Sequence, residues 1–207
     1  MTATLNASTS SGVILTSDTS GNLDIQSNGT SKVSVTSGAT TIANLSATAY
    51  TPTTSLITSG TAVASTSGTS IDFTSIPSWV KRITVLFNGV STNGTSNMQI
   101  QVGISTGVVT TGYTSGIGYR NGEATSTTGF VVGQMVTSTV SFSGVVTINS
   151  FGSNIWTSGG TMSRNDGWAV LSGGFVSSIG GTLDRIRITT IGGTDTFDAG
   201  SINILYE

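Results

Sequence analysis

Apolar residues in the first 45 positions come in pairs two apart, and the pairs recur every ten residues: Val13 with Leu15, Leu23 with Ile25, Val33 with Val35. A period of two sends both side chains of a pair to one side of a short strand. A less regular unit follows between Thr40 and Leu45, and turn formers separate the units, among them Asn28-Gly29-Thr30 and Ser37-Gly38. Asn-Gly between two strands is a strong hairpin signal, because both residues tolerate the positive φ of a type I′ turn. The pattern predicts a meander of short strands, each offering two apolar side chains. One copy gains too little, at roughly 25 cal/mol per Å2 of buried apolar area, to offset about 1–2 kcal/mol of backbone entropy per ordered residue. The repeats therefore need a partner surface. The economical partner is the same segment of other copies; the other reading is an arm that orders only on a larger particle.

Beyond a segment with no strong strand and one of the two prolines, Pro52, strand patterns come at the spacing of a sandwich or barrel. Thr69 to Phe73 is one; Ile76-Pro77-Ser78-Trp79 then marks a turn or strand edge. Between Trp79 and Phe87, Ile83, Val85 and Phe87 share a face; from Asn97 to Ile104, Met98, Ile100, Val102 and Ile104 point inward while Gln99 and Gln101 point outward. The turn-rich Asn88 to Gly94 between them predicts a hairpin over 80–104. Further strands are predicted at 130–136, 139–149, 166–172, 183–191 and 199–206. The organisation expected is an all-β chain: a repeat arm or oligomeric stalk over 1–46, a linker over 47–60, and an antiparallel jelly-roll-like β-sandwich over 61–207.

Composition changes the picture by exclusion. Nearly half of the 207 residues are Ser, Thr or Gly, and only 7 basic and 9 acidic side chains are present. Disorder usually pairs low hydrophobicity with high net charge, whereas this chain is 36% hydrophobic with net charge −2 and mean hydropathy +0.22. The small residues fill turns and outward strand positions instead. There is no His and no Cys, so a Ser-His-Asp triad, thiolate nucleophiles, disulfides and the usual zinc ligands are absent. With no basic cluster beyond Lys81-Arg82, no nucleic-acid partner is expected. No apolar run has the length of a membrane span and the start lacks a secretory signal, so synthesis in a cytoplasm and no membrane insertion are expected.

The stretch TSIDFTSIPSWVKRITVLFNGVS at 69–91, with Gln99-Ile100-Gln101-Val102-Gly103, resembles a module of tail fibres and other virion structural proteins of tailed phages, especially those of aquatic bacteria. The ending FDAGSINILYE at 197–207 is similar to the way that module closes. The lead-in SGVILTSDTSGNLDIQ at 11–26 is similar to the N-terminal repeats such proteins carry. The resemblance implies a virion protein forming a homotrimer, attached by its N-terminus to other proteins of tail or capsid, with a host-surface glycan or protein as its contact. A tail fibre is the first reading. A capsid decoration or cement protein, or head fibre, is the alternative, followed by a polysaccharide-degrading tail protein.

Candidate chemistry is sparse. Glu123 is the one internal glutamate, and Asp166, Asp184, Asp195 and Asp198 show no pairing of the kind a glycosidase needs, so no enzyme activity is expected. Asp18 to Asp24 has oxygen ligands around a glycine but lacks the repeat of calcium-binding β-rolls and reads as an Asx turn, leaving no cofactor or metal expected. Sequons at Asn6, Asn28, Asn44 and Asn93 are what chance gives in such a composition. Aromatic rings with planar guanidinium groups are the better lead for recognition. Tyr113, Tyr119 and Arg120 lie in a Gly-rich segment that reads as a long exposed loop; Trp156 and Arg164, the latter in the turn ending at Trp168, form a second candidate contact. Trp79 and Trp168 read as core residues at strand starts. Val13, Leu15, Leu23, Ile25, Val33 and Val35 are the candidate oligomer contacts.

Overall fold

The computed structural model describes residues 57–120 and 122–207, together with the backbone of two short strands nearer the N-terminus. The chain divides into two units, Met1–Thr51 and Pro52–Glu207. In the first, β1 (Gln26–Ser27) pairs antiparallel with β2 (Thr30–Ser31), Ser27 opposite Thr30, on either side of Asn28-Gly29 in the sequence. The repeat positions Val13, Leu15, Leu23, Ile25, Val33 and Val35 lie outside the described residues.

The second unit is an antiparallel β-sandwich, with no helix among the described residues. Its strands in chain order are β3 (Thr58–Ser59), β4 (Val63–Ala64), β5 (Ser70–Phe73), β6 (Arg82–Thr92), β7 (Met98–Ile104), β8 (Gly107–Val108), β9 (Tyr113–Tyr119), β10 (Gly122–Ser126), β11 (Phe130–Gly133), β12 (Phe142–Gly152), β13 (Ile155–Arg164), β14 (Ala169–Val176), β15 (Arg185–Thr190) and β16 (Phe197–Tyr206). The larger sheet runs β10-β9-β14-β13-β12-β6-β16-β3, with β4 also on β16; the smaller runs β11-β7-β15-β5, with β8 on β7. Because β3 belongs to the sheet, the sandwich begins inside the segment read as a linker.

The hairpin expected over 80–104 does not form. β6 lies between β12 and β16 in the larger sheet, while β7 lies between β11 and β15 in the smaller one. Crossing between sheets lets Ile83 and Val85 line one wall of the core and Met98, Ile100 and Val102 the other, all fully buried. The crossing is strapped to its counterpart between β15 and β16. There the amide of Asn93 donates to Thr196 O at 2.9 Å, and Ser96 N donates to Asp195 Oδ2 at 2.8 Å. A Cβ at Gly94 would overlap the Asp195 carboxylate, so a larger residue there would have to displace the side chain that accepts from Ser96 N. The pairs β6/β16 and β7/β15 thus nest one above the other in the two sheets, as in a jelly-roll winding.

The segment read as an exposed loop around Tyr113 is strand β9, continued by β10. Tyr113, Ser115 and Ile117 alternate inward at 3%, 5% and 3% exposure. Ser115 conceals the alternation in the sequence, yet its hydroxyl donates to Gly129 O at 2.8 Å and accepts from Val131 N at 2.9 Å. A polar side chain satisfied in this way is cheap to bury. Strand β13 escapes the same sequence reading because Ser158 and Gly160 separate its two large inward residues, Trp156 and Met162. Trp79, expected in the core, is 54% exposed and leans on the Tyr206 ring at 5.9 Å; Trp168 is half-buried.

Candidate functional site

Cross-strand register sorts the five candidate contact residues into two groups at opposite ends of the same strands. At one end, Trp156 opposes Val176 and Val176 opposes Tyr113. At the other, β9 ends on Tyr119, with Arg120 next along the chain, while β13 ends on Arg164.

Tyr113 is a core residue. Its hydroxyl accepts from Val102 N at 2.9 Å and donates to Val109 O at 3.0 Å, and its ring meets Phe130 edge-on at 5.0 Å. No ring surface is left for a partner. Burial pushes the phenol above the usual tyrosine value, against a smaller opposing effect of the Val102 amide. A raised folded-state pKa means that the phenol's contribution is complete below about pH 10, the unfolded value, and is lost as pH rises toward the folded one. Tyr113→Phe is therefore expected to flatten the loss of stability between about pH 10 and pH 12, measured by urea unfolding across that range. Below that range it is destabilised by about 1–3 kcal/mol, because Val102 N loses its acceptor. An unchanged alkaline slope would reject this assignment.

Trp156 is also withdrawn, at 4% exposure; its indole Nε1 has no partner, and the residue lines a cavity of about 140 Å3 with Ser150, Ser153 and Asn154. Its expected surface contact is thereby corrected to a core position at the sandwich end.

At the opposite end two arginines gather on one tryptophan. Gly167, with φ +85°, closes a tight turn in which Arg164 N donates to Trp168 O at 2.7 Å and Gly167 N donates to Arg164 O at 3.0 Å. Asn165 fastens that turn to the segment before β12, donating through Nδ2 to Thr139 O at 3.0 Å and accepting from Ser141 N at 3.1 Å. The Trp168 indole then carries two cations: Arg120 Cζ stands 5.1 Å and Arg164 Cζ 5.7 Å from its centroid. Arg164 is buried, donates from Nη2 to Asp166 Oδ2 at 2.5 Å, and has an unpartnered Nε, so it serves the turn rather than a surface. Arg120 is exposed and has no carboxylate partner among the described residues. A guanidinium held over an indole keeps its in-plane donors free for a carboxylate, phosphate or hydroxyl pair. Tyr119 is half-buried beside it. Sequence reasoning named Arg120, Arg164 and the turn that ends on Trp168, but read the Trp168 ring as core rather than as the ring that joins the two arginines.

The ion pair separates two substitutions. Asp166→Asn leaves the buried Arg164 charge without its counter-ion and is expected to cost about 1–3 kcal/mol. Arg164→Met removes charge and pair together and should be near neutral, because packing replaces a buried pair well. Urea midpoints check the order, and a larger loss in Arg164→Met would contradict it.

The outer face of the larger sheet is a second surface. Leu171, Gly173 and Phe175 of β14 point outward while Val170 and Val176 are fully buried, and Val145 of β12 lies on the same face. Leu171 is 63%, Phe175 46% and Val145 39% exposed. On β6, β12, β13, β14 and β9 the outward positions are uncharged apart from Arg82, which pairs with Glu207 at the margin, while the edge strand β10 adds the exposed Glu123 opposite Gly118. No group of three or more carboxylates fit to hold a metal occurs among the described residues. Asp72, Asp166, Asp184 and Glu207 are taken by arginines, and Asp195 and Asp198 by a backbone amide and the Ser91 hydroxyl. No family model, curated protein or solved structure matches this chain.

Proposed function

We propose that the chain is a non-enzymatic structural protein of a tailed-phage particle, a tail fibre that attaches by its N-terminal repeats, assembles as a homotrimer and meets the host surface with its β-sandwich. The observation that carries this reading is the outer face of the larger sheet, where Val145, Leu171 and Phe175 are exposed on an uncharged stretch of β12, β13 and β14, bounded by Glu123 on the edge strand β10 and Arg82 at the start of β6. Such a face suits permanent contact with other subunits. The resemblance of residues 69–91 and 197–207 to virion modules supports the particle. The structural employment of all but one of the described carboxylates supports a binding role over hydrolysis. Function then rests on avidity: several weak contacts, such as those Arg120 offers at a strand end, presented together on one assembly.

Gold labelling of the protein on intact particles tests the assignment. Label at the tail supports the fibre, label over the head shows a capsid decoration protein instead, and particles free of the protein overturn both.

A further inference from the structure

The alternation of β7 buries Met98, Ile100 and Val102 in the core and turns Gln99 and Gln101 to the far side of the smaller sheet, yet both glutamines are nearly inaccessible, at 2% and 7% exposure. The connection from β10 to β11 covers all but a small part of each, and both still line a groove beside it. Ser126 Oγ and Thr128 Oγ1 donate to Gln99 Oε1 at 2.9 and 3.1 Å, and Gln101 Nε2 donates to Thr128 O at 2.9 Å. A Cβ on Gly129 would come within 2.8 Å of Gln99 Oε1 and 3.0 Å of Ile100 O, so glycine lets the connection lie this close over the amide. Two amides are thus fixed before any ligand arrives. Beside them lies an open groove of about 320 Å3, whose walls include Ser70, Thr128, Thr189 and Arg187.

The polar groups left over define the ligand. Gln99 has spent its carbonyl oxygen and keeps its amide hydrogens, while Gln101 has spent one amide hydrogen and keeps its oxygen. The two stand on one strand face at i and i+2, about 6.6 Å apart along the strand. Arg187 brings no free charge, because its Nε and Nη2 form a fork with Asp72 at 2.7 Å each. An anion would find no unpaired cation here, and an apolar ligand no large apolar wall. A hydroxyl-rich ring, each of whose groups both donates and accepts, finds matching partners, and the volume suits a single small ring. We propose that this groove binds a neutral saccharide unit, with Gln99 donating to it and Gln101 accepting from it. The proposal stands on the groove alone and not on membership of a particle.

Side-chain amide signals give a direct readout, since the chain has only four glutamines, Gln26, Gln99, Gln101 and Gln134. The 15N-labelled full chain would be titrated separately with glucose, galactose and N-acetylglucosamine, and with N-acetylneuraminic acid as the charged comparison. The expected result is a saturable shift of the Gln99 and Gln101 signals with at least one neutral sugar at millimolar concentration. Gln101→Met, with the remaining spectrum intact, should weaken it about tenfold or more, the loss of one good hydrogen bond. Gln99→Met serves as the second variant. No shift with any neutral sugar at tens of millimolar overturns the proposal, as do equal affinity in both variants and a shift produced by the acidic sugar alone.

Discussion

Replacing Phe130 by alanine is expected to lower the stability of the sandwich by about 3–5 kcal/mol, the range for truncating a fully buried aromatic. Phe130 has no solvent exposure and opens β11, a strand whose four residues are all buried. β11 pairs with β7 in its own sheet and packs against β9 and β14 of the other, so its side chains bridge the two layers. Phe130 also meets Tyr113 edge-on, and removing it takes away a wall of the site where the Tyr113 hydroxyl ties Val102 to Val109. The contrast is Phe151→Ala: at 77% exposure that ring should change stability by no more than about 0.5 kcal/mol. Urea unfolding with an unchanged slope measures both. A loss below about 1 kcal/mol for Phe130→Ala would mean that β11 is not part of the core.

Two neighbouring glycines in β13 are expected to respond with opposite signs. A Cβ on Gly160, which faces the core, would lie 2.7 Å from Val146 Cα, backbone that cannot swing away. Gly160→Ala should therefore cost about 1–3 kcal/mol. A Cβ on Gly159, which faces outward, meets nothing nearer than Ser172 O at 3.9 Å, and alanine there should add about 0.5–1 kcal/mol by restricting the unfolded chain. Gly159 opposes Gly173, and Gly173 opposes Gly116, so the outward face carries a row of three glycines across three strands. None of the three has a neighbour closer than 3.6 Å to an added Cβ. The chain by itself gains nothing from them. In strands such glycines admit another backbone at close range, which agrees with the subunit contact proposed for this face. Equal losses for Gly159→Ala and Gly160→Ala would remove that support.

Much of the sandwich was legible because its apolar residues alternate without interruption: Ile83, Val85 and Phe87, or Ile186 and Ile188, announce their strands. β9 and β13 were not, because Ser115, Ser158 and Gly160 occupy inward positions where a pattern reader expects hydrocarbon. Which sheet a strand joins was equally hidden. The Asn88 to Gly94 segment has turn-forming residues, but its pairing with Thr196 and Asp195 lies about a hundred residues away in sequence. The candidate contacts show the same limit. A tyrosine or tryptophan beside glycines reads as exposed, yet Tyr113 and Trp156 sit on inward positions of strands the pattern did not reveal. Gln99 and Gln101 were correctly turned away from the core; what the sequence withheld was the distant connection that covers and fixes them.

The proposed homotrimer is the reading most open to a single measurement. The most direct test is the mass of the full-length protein at micromolar concentration, by sedimentation equilibrium or light scattering. A species of three times 20.9 kDa is the predicted result, and a stable single-copy species of 20.9 kDa would contradict it.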